Sequence, residues 1–181
     1  MGHGMSKDDF TKFLDRVKDD IAEFPMDVAN IIAETATEYF KGSFQRKAFD
    51  GAGWKRTDKG TGSTLVSSGN LMNSIRPSEV TPERVVISAG NEQVPYARIH
   101  NEGGEITVPK TKAMTKFFWA MYYRAGKQGA EAERWKAAAL HKGDVTIRIP
   151  QRQFMGDSQE LFKLLETRIN AYIDYQNKHR K

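Results

Sequence analysis

The chain has 181 residues, a formal net charge of +5 and no cysteine, with a mean hydropathy of −0.63. That length suits a single domain with an excursion, and 39% hydrophobic residues are enough to bury a core, which argues against wholesale disorder. The lack of cysteine excludes disulfides, thiol nucleophiles and thiolate metal sites, and it fits a reducing compartment.

Residues 1–5 read as a non-native extension or an unstructured start, with Met5 as a natural initiator, and no secretory signal is visible. The structured chain is expected over 6–181. Ser6 is placed to cap a helix whose first turn carries Asp8 and Asp9, and Phe10, Phe13, Leu14, Val17, Ile21 and Phe24 recur at helical spacing. Pro25 breaks and restarts it. A second stripe follows in Val28, Ile31, Ile32, Ala36, Tyr39 and Phe40, with Gly42 blurring its end.

Residues 50–64 hold four glycines, with Ala52 and Trp54 as the only apolar side chains, and read as a loop anchored by Trp54. It is no phosphate loop, since Lys59 lacks the preceding glycine and Gly60-Thr61-Gly62 lacks the third glycine of the dinucleotide fingerprint. Ser68 reads as the cap of a short helical turn carrying Leu71 and Ile75. Arg76–Val80 and the β-branched run from Arg84 to Ala89, joined by Thr81-Pro82-Glu83, predict a hairpin. Pro95 begins a helix over 96–102 that Gly103 ends, and Glu105–Pro109 is a short strand.

Between 111 and 143 the pattern predicts a helical excursion. Residues 110–142 hold eight Lys or Arg against Glu131 and Glu133. Such a block suits a solvated helical face, an acidic protein surface or nucleic acid. Its aromatic stripe, with Phe117, Phe118, Trp119, Tyr122 and Trp135, is the candidate assembly interface. Val145–Ile149 alternates as a strand, and Asp157 with Glu160 resembles a capping box ahead of a final helix through Leu161, Leu165, Ile169, Tyr172 and Ile173. The longest apolar run, 117–123, is far short of the roughly 20 residues that cross a membrane. The elements add up to an α+β fold, in which the hairpin and the strands near 105–109 and 145–149 make a small antiparallel sheet against helices.

Few residues offer chemistry. His100 suits a general base or a metal ligand, or a histidine packed at a helix end, but no second histidine stands at ligand spacing. Asp8-Asp9 and Asp19-Asp20 are adjacent acids that point to different sides of a helix, and Ser67-Ser68-Gly69 lacks the G-x-S-x-G frame of a nucleophile elbow. No catalytic set, cofactor site or metal site is expected.

Three segments belong together: Leu65-Val66-Ser67-Ser68-Gly69-Asn70-Leu71-Met72-Asn73-Ser74-Ile75, then Tyr96-Ala97-Arg98-Ile99-His100-Asn101-Glu102-Gly103-Gly104, then Ile149-Pro150-Gln151-Arg152-Gln153-Phe154-Met155-Gly156. In this order, with Trp54 ahead of them, they resemble the phage virion-morphogenesis family, the tail-completion or head-tail joining proteins of Mu-like phages and prophages. The matching positions are Trp54, Leu65, Ser68, Gly69, Leu71, Ser74, Ile75, Tyr96, Ala97, His100, Gly103, Gly104, Pro150, Arg152, Phe154 and Gly156. The resemblance implies a structural, non-enzymatic component that assembles in the bacterial cytoplasm and ends at the virion neck or tail. There it would form a ring of protomers contacting neck and tail proteins. The rival from another class is a basic nucleic-acid-binding module using 110–142. Physically, the glycines of these segments permit close turns, and Arg152 offers a planar donor fork suited to loop carbonyls or a carboxylate.

Overall fold

The computed structural model describes residues 5–22, 24–55, 65 and 68–179. The expected loop therefore lies outside the described residues from 56 to 64, as do Val66, Ser67 and Met1–Gly4. The chain divides into two compact units: residues 1–103 with 150–181, and residues 104–149.

In the first unit, α1 (Lys7–Arg16) opens on a capping box in which Ser6 Oγ accepts from Asp9 N and the Asp9 carboxylate accepts from Ser6 N. A one-turn α2 (Lys18–Ile21) follows. Pro25 begins α3 (Pro25–Arg46), where its missing N–H costs nothing, and the helix ends with Lys47 left-handed at φ 53°. Gly42 does not stop α3. A Cβ there would sit 2.7 Å from an Arg46 guanidinium nitrogen, and that guanidinium lies 4.8 Å from the centre of the Tyr39 ring.

The core joins α3 to α8 (Gln159–His179). Leu161, Leu165, Ile169 and Ile173 recur every fourth residue and are buried with Tyr39, Phe40 and Phe44 of α3. The start of α8 is held differently from the expected Asp157–Glu160 box. Ser158 Oγ accepts from Leu161 N at 3.1 Å, Asp50 Oδ1 accepts from Glu160 N at 3.1 Å, and exposed Asp157 pairs with Lys7. Asp50 arrives there because β1 (Ala48–Phe49) and β2 (Ala52–Gly53) form a tight hairpin, with Asp50 and Gly51 both at positive φ, 47° and 77°. A two-stranded hairpin thus stands where a loop is expected, and Asp50-Gly51 is the turn signal for it.

The rest of the unit comprises α4 (Asn70–Asn73), β3 (Arg76–Val80), β4 (Val85–Ser88) and α5 (Ala97–Glu102). Antiparallel β3 and β4 pair around the expected turn and lie against α3. The cap position of α4 is Gly69, left-handed at φ 71°, rather than Ser68, whose Oγ accepts from Asn70 N at 3.4 Å from one residue further out.

The second unit contains β5 (Gly104–Val108), α6 (Lys112–Arg124), α7 (Gly129–Leu140) and β6 (Val145–Ile149). The strands do not join β3 and β4 in one sheet. The fold is α+β, with three separate two-stranded antiparallel ribbons among the described residues, because β5 and β6 pair fully with each other, from Gly104 with Ile149 to Val108 with Val145. Ile106 and Ile147 face one another across this ribbon, as do Thr107 and Thr146, so the pleat separates an aliphatic face from a polar one. The unit is thus wider than the 111–143 excursion by both strands.

Candidate functional site

The segments that the sequence brought together by motif also meet in space within the first unit. Trp54 packs edge-on against Phe44 at 5.5 Å, Phe44 meets Phe154 at 5.1 Å, and Trp54 Nε1 donates to Gln153 O at 2.7 Å. Leu71, Ile75, Ala97 and Phe154 are buried in the same core. Ser74 is buried because it joins two loops: its Oγ donates to Leu71 O and accepts from Gly90 N.

The end of α5 is stitched to the segment after β6. His100 O accepts from Arg152 N at 2.9 Å. Asn101 Oδ1 accepts from Phe154 N and Met155 N at 2.9 and 3.0 Å, while its Nδ2 donates to Met155 O. Gly103 then makes the crossing fit. Its φ is 73°, and a Cβ would lie 2.8 Å from Gln151 N, closer than backbone atoms allow. Gly156 is also left-handed, at φ 139°. Asn101 carries the junction, yet the motif leaves its position variable; its Asx-type bonding capacity was the signal available. Gly104 begins β5, and Pro150, exposed, follows β6.

A cavity of about 180 Å³ opens here, lined by Leu65, Ser68, Leu71, Tyr96 and His100. Tyr96 is 38% exposed and meets the His100 ring edge-on at 5.7 Å. His100 Nδ1 and Arg152 Nε are the two buried side-chain polar atoms among the described residues that have no hydrogen-bond partner. Burial, and then the adjacent Arg152 charge, hold the His100 pKa below its ordinary value, which favours the neutral ring. The tie between Arg152 and α5 is made by its backbone N–H, and among the described residues its side chain forms no ion pair. Among the described residues no group of three histidines or carboxylates is placed to hold a metal ion.

In the second unit, Thr111 caps α6 by accepting from Met114 N, and Lys110 Nζ closes the far end of α7 by donating to Ala139 O and His141 O. The candidate interface residues fall into two groups. Phe117, Phe118 and Trp135 cluster between α6 and α7 with ring centroids 5.9 to 6.2 Å apart. Trp119 and Tyr122 meet at 5.6 Å along α6, beside Tyr123. No residue of α6 is buried, and the unit's buried apolar residues are Ala132 and Ala139. Phe117 and Tyr123 remain 45% and 57% exposed, so the stripe reaches the surface among Lys and Arg.

Among the described residues no helix is long and apolar enough to cross a membrane. The model of the phage virion morphogenesis family matches residues 7–174 of the chain. No curated protein and no solved structure matches it.

Proposed function

The chain belongs to the phage virion morphogenesis family, and from that premise we propose that it is a structural, non-catalytic component that completes the tail or joins it to the head. It works as a ring of copies at the neck, built in the host cytoplasm and retained in the particle. The observation that carries this reading is the span of the family match, 7–174, which takes in both compact units. What the signature residues do supports it: Trp54, Ser74, Gly103 and Phe154 hold loops and core together, which is how assembly proteins present fixed surfaces. The cationic, aromatic second unit is the natural contact face, because interfaces are anchored by large aromatics within a polar rim.

Electron microscopy of particles made with and without the gene tests the proposal. The expected outcome is filled heads and complete-length tails that are unjoined or defective at the head-proximal end. Normal infectious particles from a clean deletion would refute it.

A further inference from the structure

Two stretches of the chain carry charge of one sign only. Residues 19–40 hold six acids and no Lys or Arg, whereas residues 110–130 hold five Lys or Arg and no acid. In the first unit the acidic stretch runs through α2 and most of α3. Asp27 accepts from Tyr172 Oη at 2.6 Å and Glu38 pairs with Arg168 at 2.9 Å. Asp19, Asp20 and Glu34 are exposed and form no ion pair among the described residues. Met26, Asn30 and Glu34 follow one another along one face of α3, at i, i+4 and i+8, and Met26 is 44% exposed.

In the second unit the basic stretch forms α6, no residue of which is buried. Phe117 and Phe118 turn toward Trp135 of α7. At roughly 100° per residue the opposite side of α6 carries Lys112, Lys116, Trp119 and Tyr123. The Trp119 and Tyr123 rings lie 6.3 Å apart, Tyr123 is 57% exposed, and Lys127 Nζ stands 5.0 Å from the centre of the Tyr123 ring. Lys112, Lys116 and Lys127 are exposed and form no ion pair among the described residues. Aromatic anchors within a charged rim are the make-up of a protein interface. A matching surface has to be acidic and to offer the rings an apolar spot. The chain's own 19–40 stretch has both, since a methionine thioether packs well on aromatic rings.

We propose that the α6 face of one copy docks on the acidic α2–α3 face of the next. The two faces differ, so the contact is heterologous: every copy offers one face of each kind, and repetition closes a ring when the rotation allows it. This names the contact within the ring proposed above and rests on that reading for its place in the virion. The rings supply the affinity, while the charges orient the approach and reject wrong partners. Neutralising the lysines therefore costs little; reversing them sets like charges against one another.

Sedimentation velocity of the full chain over a concentration series tests the contact. The unaltered chain is expected to gain mass with concentration. Reversal of one face, as Lys112→Glu, Lys116→Glu and Lys127→Glu together or as Asp19→Lys, Asp20→Lys and Glu34→Lys together, should leave a monomer that melts like the unaltered chain, because all six positions are exposed. Mixing the two reversed chains should bring association back, since each then meets opposite charge on the other. Trp119→Ala on one side and Met26→Ala on the other should each weaken association about tenfold or more, and they decide the matter if a reversal unfolds the chain. Four results would overturn the proposal: an unaltered chain that stays monomeric at every concentration, an acidic-face reversal that leaves association unchanged, a mixture that restores nothing, or lysine reversals that abolish binding of a DNA oligonucleotide while association persists. The two readings fail separately. Infectious particles from a clean deletion remove the assembly role and leave the contact between copies to the centrifuge. Unjoined heads and tails together with a monomeric chain keep the role and remove the contact.

Discussion

Gly103 and Asn101 hold the end of α5 against the segment that follows β6, and each supplies a sharp test at the level of one side chain. Gly103→Ala must place a Cβ 2.8 Å from Gln151 N at a φ of 73°, and the strain alone is worth about 1–3 kcal/mol. The expected result in denaturant unfolding is a loss of about 2 kcal/mol or more. Asn101→Ala removes one acceptor of two backbone N–H groups and a donor to Met155 O, with an expected loss of about 2 kcal/mol. Asn101→Asp keeps the acceptor and should lose less. His100 adds a pH dependence. Burial, and then the Arg152 charge, hold its folded pKa below the ordinary 6.5, so just under that pH the unfolded chain binds more protons than the folded one. Its contribution is complete above pH 6.5 and is lost as pH falls through the lowered value. His100→Gln should flatten that part of a stability–pH curve without removing any enzymatic activity. Residues of this kind were partly legible. The glycines, His100 and Arg152 stand in the motif, but Asn101 does not, because its value comes from reaching across 53 residues to Phe154 N.

Among the elements, α8 shows how a distant residue decides a local structure. Its periodic face was readable from spacing, but its start depends on Asp50, 110 residues away, accepting from Glu160 N. Asp50→Ala should therefore lower stability by about 1 kcal/mol, the usual worth of a helix cap, measured by thermal unfolding. Asp157→Ala, at the acid the sequence suggested, should change it little, since the ion pair of Asp157 with Lys7 is exposed. The pair α6 and α7 bears on function. If the excursion is an assembly element, Phe118→Ala or Trp119→Ala weakens self-association or neck assembly, while Lys116→Ala, Arg124→Ala and Lys127→Ala together matter little. Sedimentation and particle yield measure the first. A steeply salt-dependent DNA affinity abolished by the charge variants, with assembly intact, would assign α6 and α7 to nucleic acid instead.

For the molecule as a whole, the division into two units predicts that the first folds without the second. Every residue of the large aromatic and aliphatic core, from Phe10 to Ile173, lies in 1–103 or 150–181. Gly104 is paired with Ile149, so the cut ends lie side by side. Replacing 104–149 with a short glycine linker should leave a cooperative thermal transition and a helical circular-dichroism spectrum, and should abolish particle assembly. A molten chain would show that the core needs the second unit. The sequence by itself determined the helices, the β3–β4 hairpin, the α+β class and the family signature, because periodicity, proline and turn chemistry act over a few residues. Only the tertiary structure decided which strands pair, that Asp50 caps α8 and that Asn101 ties two segments. It alone also buried His100 Nδ1 and Arg152 Nε, which among the described residues have no hydrogen-bond partner. Those are relations between residues far apart in the chain, and burial and hydrogen-bond satisfaction, which set their energies, exist only once the chain has closed on itself.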